Sequence, residues 1–231
     1  MMLSKFWRNR WYLISLPKSL YFNFHYLPFM QAIKLPILLW KVELIRIKGD
    51  VIIDSPIKTG MIRLGYRMVG IYKDDGLIFA NYGGTIIFKG ECKIGNSSAI
   101  CVNKGELKLG NNFIATASLR LACYKKIEIG NNVLLGWDCM ISDTDFHQMK
   151  STTGQNIKCY GSIRIGDNCW FASRVTVLKN TLLPSYVIVA SNSLLNKVYD
   201  IQHNSLLAGQ PAKVVKQNVY RDYKDDAIQY S

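Results

Sequence analysis

The chain has 231 residues, is 49% hydrophobic, and carries 29 Lys and Arg against 16 Asp and Glu, a formal net charge of +13. That length and apolar content suit one compact domain with appendages, with no need of disulfides, and the charge favours anionic partners. The cysteines (Cys92, Cys101, Cys123, Cys139, Cys159, Cys169) form no C-x-x-C pair and have no histidine at ligand spacing, which excludes a zinc site.

Residues 1–48 are aromatic and basic, with Trp7, Trp11, Tyr12, Tyr21, Phe22, Phe24, Tyr26 and Phe29 interleaved with Lys5, Arg8, Arg10, Lys18 and Lys34. The run 11–16 is short and is cut at Pro17, so it does not read as a secretory signal; a reduced, cytoplasmic protein is expected. No apolar stretch is long enough to span a bilayer, since 33–47 contains Lys34, Pro36, Lys41, Glu43 and Arg46. The segment reads as a cap over the open end of a repeat, which must hide its edge. It also suits peripheral contact with an anionic membrane or a lipid-linked glycan.

A repeat occupies 49–216. Ile129, Leu135 and Ile141 fall six apart, and the beat resumes at Ile165, Phe171, Val177, Leu183, Val189 and Leu195. Ile94, Ile100 and Leu109 are weaker copies with a phase slip, and the phrases IGNS, LGNN, IGNN and IGDN start at 94, 109, 129 and 165. Six is neither the helical nor the strand period. It fits a short strand, a corner and another short strand, with one inward aliphatic residue per side. Gly and Asn tolerate the left-handed backbone that such corners need. Three sides make one triangular coil, so the chain is all-β, a parallel β-helix. Val133, Cys139, Cys169, Val175 and Val187 supply a second inward position, and the cysteines among them are small core residues.

The beat stops for about eighteen residues at DTDFH, where Asp143, Asp145 and His147 gather. Together with LLAGQPAKVVK at 206–216, this arrangement resembles the hexapeptide-repeat acyltransferases, in the branch of galactoside, maltose and capsular or lipopolysaccharide O-acetyltransferases. The resemblance covers roughly residues 90–216. It implies a left-handed parallel β-helix, a homotrimer, acetyl-CoA as donor, no metal, and active sites between neighbouring subunits. It places the catalytic histidine at His147, at the mouth of a protruding loop near 148–162. Histidine suits the task of drawing a proton from a hydroxyl near neutral pH, and Asp143 and Asp145 are the candidates to orient it. Turn capping is the competing role for both aspartates.

Donor-binding positions carry over to Trp170 and Ser173 on one coil, to Ser191 on the next, and to Asn196. Ala172 stands where the family has glycine. Lys213 and Lys216 take the basic positions that face the CoA phosphates. His25 and His203 lie outside the motif and read as structural or surface residues. The implied reaction is O-acetylation of a sugar or glycan hydroxyl; N-acetylation of an amino-sugar nucleotide is the enzymatic alternative. A non-catalytic trimeric β-helix adaptor is the alternative from another class. Charge alone suggests nucleic acid, and no recognition motif supports it, so none is expected. Residues 217–231 read as a polar tail.

Overall fold

The computed structural model describes residues 15–225. From Ile37 the chain winds into a three-sided prism. The first face stacks Ile37–Leu39, Ile62–Tyr66, Cys92–Gly95, Phe113–Ala117, Leu134–Trp137, Trp170–Phe171, Val187–Val189 and Ser205–Gly209 in parallel. Seven coils pass through this face in turn, numbered here in chain order, and Ser205–Gly209 begins an eighth. Ala212–Gln217 then turns back antiparallel on Ser205–Gly209 and closes that end.

The second and third faces are joined through two long strands, Val42–Ile53 and Leu77–Phe88, which bend around the corner between them. Leu77–Asn81 pairs with Ser98–Val102 on the second face, while Thr85–Phe88 pairs with Glu106–Leu109 on the third. The bend requires glycine. Gly49 has a φ of +69°, and a Cβ there would lie 2.2 Å from the Gly84 carbonyl oxygen.

The six-residue beat is the inward column. Ile129, Leu135, Ile141, Ile165, Phe171, Val177, Leu183, Val189 and Leu195 are all 2% exposed or less. Ile129 and Ile165 are direct partners in the parallel register, so the long interruption leaves the prism in phase. Burial pushes the thiol of Cys139 up to about 11 and that of Cys169 up to about 12. Both stay protonated and pack as small apolar groups, as their hexad position implies.

The Gly-Asn-Asn phrases have a physical reason. At the corner between the third and first faces, each first polar side chain accepts a backbone N–H from the coil before it. Asn131 Oδ1 takes that of Asn111 at 2.8 Å, Asp167 Oδ1 that of Asn131 at 2.6 Å, and Ser185 Oγ that of Asp167 at 2.9 Å. The second asparagines, Asn112, Asn132 and Asn168, sit at φ of 56–57° and link through their amides at 3.2 and 3.0 Å. Backbone N–H groups that a corner would leave unpaired are satisfied by a side-chain ladder.

The first coil has no coil before it, and a helix over 15–26 supplies what is missing. Asn23 Nδ2 donates to the Ile37 carbonyl at 2.7 Å, and Asn23 Oδ1 accepts the Ile37 N–H at 3.1 Å. Ser19 Oγ accepts the Leu39 N–H at 2.9 Å, and Lys18 and His25 donate to the carbonyls of Val42 and Ile47. Phe22 and Leu27 cover the end of the apolar column. Polar side chains thus stand in for one face of a coil and remove the open edge. The sequence boundary at 49 falls inside the strand Val42–Ile53, since strand pairing is already under way at Ile37. Trp7, Trp11, Tyr12, Lys5, Arg8 and Arg10 lie outside the described residues, as do 226–231 of the polar tail. Within the tail, Val219 N–H donates to the Asn204 carbonyl at 2.9 Å and Arg221 reaches the Asn132 carbonyl, so residues 218–221 lie along the asparagine corner.

Candidate functional site

Coil 5 leaves the prism after Met140–Ser142 and returns at Ile163–Ile165. Between them a hairpin projects from the corner of the second and third faces, with Met149–Lys150 antiparallel to Asn156–Ile157. Its root is tied by three backbone contacts: Asp145 N–H to the Cys159 carbonyl, Gly161 N–H to the Asp143 carbonyl, and the Thr144–Tyr160 bridge. The expected loop at 148–162 is this hairpin.

The two aspartates of DTDFH have different fates. Asp143 is fully buried, and its carboxylate accepts three backbone N–H groups. Oδ1 takes that of Tyr124 at 2.7 Å, and Oδ2 takes those of Lys125 and Lys126 at 2.7 and 2.8 Å. This is turn capping across coils, and the side chain is engaged away from His147. Asp145 is half-buried; its Oδ2 pairs with the Lys179 ammonium, which also donates to the Lys158 carbonyl at 3.1 Å. Lys179 belongs to coil 6 and holds the root of the hairpin from the next coil. The sequence offered no signal for it, because the pair spans 34 positions.

His147 is exposed. Its backbone N–H donates to the Asp145 carbonyl at 2.7 Å, and among the described residues its imidazole makes no hydrogen bond. A groove of about 420 Å³ lies on the third face, lined by Lys125, Lys126, Ser162, Arg164, Asn180 and Leu182 among others; His147 does not border it.

The donor-binding positions divide between two edges. Ser173 and Ser191 lie one above the other at the corner of the first and second faces, Oγ to Oγ at 3.2 Å. Beside them runs a lane of small residues. The registers Leu135–Phe171, Phe171–Val189 and Val189–Leu207, continued by one residue, align Gly136, Ala172, Ala190 and Ala208. The spacing is tight: a Cβ on Gly136 would meet the Ala172 carbonyl carbon at 2.9 Å. Trp170 borders the lane on the outer first face, in register with Leu134 and Ile188 and 36% exposed. The lane ends at the return strand, where Lys213 is opposite Ala208 and Lys216 opposite Leu206, both exposed. Gln210 closes the corner by donating to the Asn192 carbonyl at 2.8 Å.

Asn196 is elsewhere. It follows Leu194–Leu195 on the second face and therefore stands at the same edge as His147 and Lys179. One chain thus divides the expected set between the two edges of the second face. Along coil 5 the edges are marked by Asp138 and Asp143, five residues apart, or about 16 Å of extended strand. The two groups of side chains therefore do not meet within one chain.

The chain is similar to several known proteins. It is 27% identical over 162 residues to an uncharacterized 24.8 kDa protein in cps region of Klebsiella pneumoniae, covering 70% of this chain and 72% of that one. It is 28% identical over 125 residues to galactoside O-acetyltransferase of Escherichia coli, covering 52% and 60% of the two chains. Three-fifths of that named relative is therefore spanned. Among solved structures, the polySia-specific acetyltransferase NeuO shares its fold, with a TM-score of 0.58 at 16% identity over 80% of this chain and 74% of that one. No family profile matches the chain. The prism is thus the left-handed parallel β-helix of these neighbours, and the named relatives and structural neighbours of the chain are O-acetyltransferases of the hexapeptide-repeat family.

Proposed function

We propose that this protein transfers an acetyl group from acetyl-CoA to a sugar hydroxyl in capsule or lipopolysaccharide glycan biosynthesis, in the cytoplasm and as a homotrimer. His147 is the general base. Its imidazole takes the proton of the acceptor hydroxyl as that oxygen attacks the thioester carbonyl. Collapse of the tetrahedral adduct expels the thiolate of CoA, which takes the proton from the imidazolium and leaves an acetyl ester. The pantetheine lies along the lane of Gly136, Ala172 and Ala190, where side chains are small, with Ser173 and Ser191 beside it. Lys213 and Lys216 meet the phosphates at its far end. Asp145 and Lys179 act on His147 through the hairpin root, as positioning residues.

The observation that carries this reading is the division of the site between two edges about 16 Å apart. Threefold symmetry sets the His147 edge of one copy against the Ser173 edge of the next, which brings together what a single chain keeps apart. The sugar-directed name of the galactoside relative supports a glycan acceptor. The test is cleavage of acetyl-CoA in the presence of a panel of sugars, nucleotide sugars and lipid-linked oligosaccharides, with sedimentation equilibrium alongside. An acetylated sugar hydroxyl from a trimer is the expected result. A monomer at micromolar concentration with full activity would overturn the shared site, and acetylation of an amine would replace the acceptor.

A further inference from the structure

We infer that the outer face of the cap docks this protein on an anionic lipid surface, an inference that extends the proposed transfer reaction and does not depend on it. The inner face of the 15–26 helix is spent on the first coil through Ser19, Phe22 and Asn23. The outer face is apolar and, among the described residues, has nothing packed over it. Leu20, Tyr21 and Phe24 are 38%, 55% and 47% exposed, and Phe29, Met30 and Ile33 on the next turn of chain are 67%, 68% and 47% exposed. The two groups form one patch, since the Phe24 and Phe29 rings lie 5.9 Å apart between centroids. A surface of large apolar and aromatic side chains at the tip of a prism marks an interaction site.

Charge identifies the partner. Residues 1–42 contain Lys5, Arg8, Arg10, Lys18, Lys34 and Lys41 and no Asp or Glu; the first acid is Glu43. The remainder of the chain mixes 23 cations with all 16 acids. Among the described cations Lys18 bonds the Val42 carbonyl and Lys41 pairs with Asp74, but the segment itself holds no carboxylate, and an aromatic, apolar segment with such an excess of positive charge matches the interface of a bilayer with anionic headgroups. A second copy of the chain would set one acid-free basic segment against another, which disfavours end-to-end pairing of caps. Docked this way, the prism stands on the cap helix. His147 lies on a coil four spacings, or about 19 Å, above the first coil, with the helix between that coil and the surface. A carrier-linked acceptor is then met several sugars out from the lipid.

The experiment is co-sedimentation of the full chain with phosphatidylcholine vesicles, with and without phosphatidylglycerol. It compares the wild type with a triple variant, Phe24→Ser, Phe29→Ser and Met30→Ser. The wild type should bind the anionic vesicles, less tightly as salt rises, and the variant should bind them at least about tenfold more weakly. Melting temperature and thioester turnover with a soluble acceptor should be the same in both, since these side chains are outside the core and far from His147. Three results would overturn the inference: no binding of the wild type, equal binding to neutral vesicles, or an unweakened variant. A drop in oligomer mass on substitution would assign the face to self-association instead. Loss of vesicle binding with turnover intact leaves the transfer reaction standing; turnover lost in the wild type counts against that reaction alone.

Discussion

Coil 5 turns two polar corners, and they behave differently. At Asn131–Asn132 the chain follows the ladder: the side chains bond to the coils above and below, and the backbone passes directly to the next strand. At Asp143–His147 only the first residue behaves that way. Asp143 closes the preceding corner with three N–H bonds, and then the chain departs into the hairpin, where the His147 imidazole makes no hydrogen bond among the described residues. A corner that is fully bonded is inert. In the proposed mechanism, function enters where the ladder is satisfied by one residue and the next few are released from it. The same contrast separates the neighbouring aspartates, one buried and structural, the other paired to a lysine from a different coil.

The largest test of this contrast is His147→Ala. Turnover number should fall by about a hundredfold to ten-thousandfold, the usual worth of a positioned acid–base group. Affinity for acetyl-CoA and melting temperature should hold, because the side chain supports neither the lane nor the apolar column. A folded variant within a few-fold of wild type would place the base elsewhere.

Asp143→Ala should do the reverse. It leaves three part-buried backbone N–H groups without their carboxylate and should cost about 3 kcal/mol of stability, read from urea unfolding. Whatever variant remains folded should keep most of its turnover per site. A stable Asp143→Ala protein with turnover abolished would return Asp143 to the catalytic machinery.

Lys213→Ala together with Lys216→Ala should raise KM for acetyl-CoA by roughly tenfold while kcat changes less, since two charges leave the donor and not the reacting atoms. In the wild type the same KM should rise with salt. An unchanged KM in the double variant would make these lysines ordinary surface charges.

The smallest effect is expected at the Lys179–Asp145 pair. Both partners are partly exposed, so Lys179→Met should change stability by no more than about 1 kcal/mol. If the pair positions the hairpin, kcat should nevertheless fall several-fold, and Lys179→Arg should recover part of it. Equal losses in Met and Arg variants, or none in either, would confine the pair to local packing.

Much of this was legible beforehand because the β-helix converts three-dimensional order into a linear period. Every residue on the beat from Ile129 to Leu195 faces inward, and the phase survives the interruption because coils 4 and 5 pair directly through Ile129 and Ile165. The first two coils were not legible in this way. Their strands are long, shift register between Leu44 and Arg46 and between Lys48 and Asp50, and are joined by a long connection over 67–76, so no six-residue beat exists there. The identity of the motif residues was available, and their division of labour was not: Asp143 and Asp145 are two positions apart in the chain, yet the partners that distinguish them come from coils 4 and 6.

By itself the sequence determined the prism, its inward column, the ladder residues and the place where the repeat opens, since all of these are set by side chains acting within one coil or on its immediate neighbours. Tertiary structure alone decided that a helix would serve as the missing face of the first coil, that Lys179 would hold the hairpin, and that His147 and Asn196 would share one edge while Ser173 and Ser191 share another. Those contacts join residues far apart in the chain, and their geometry depends on the length of strand across a face. No local period encodes that length.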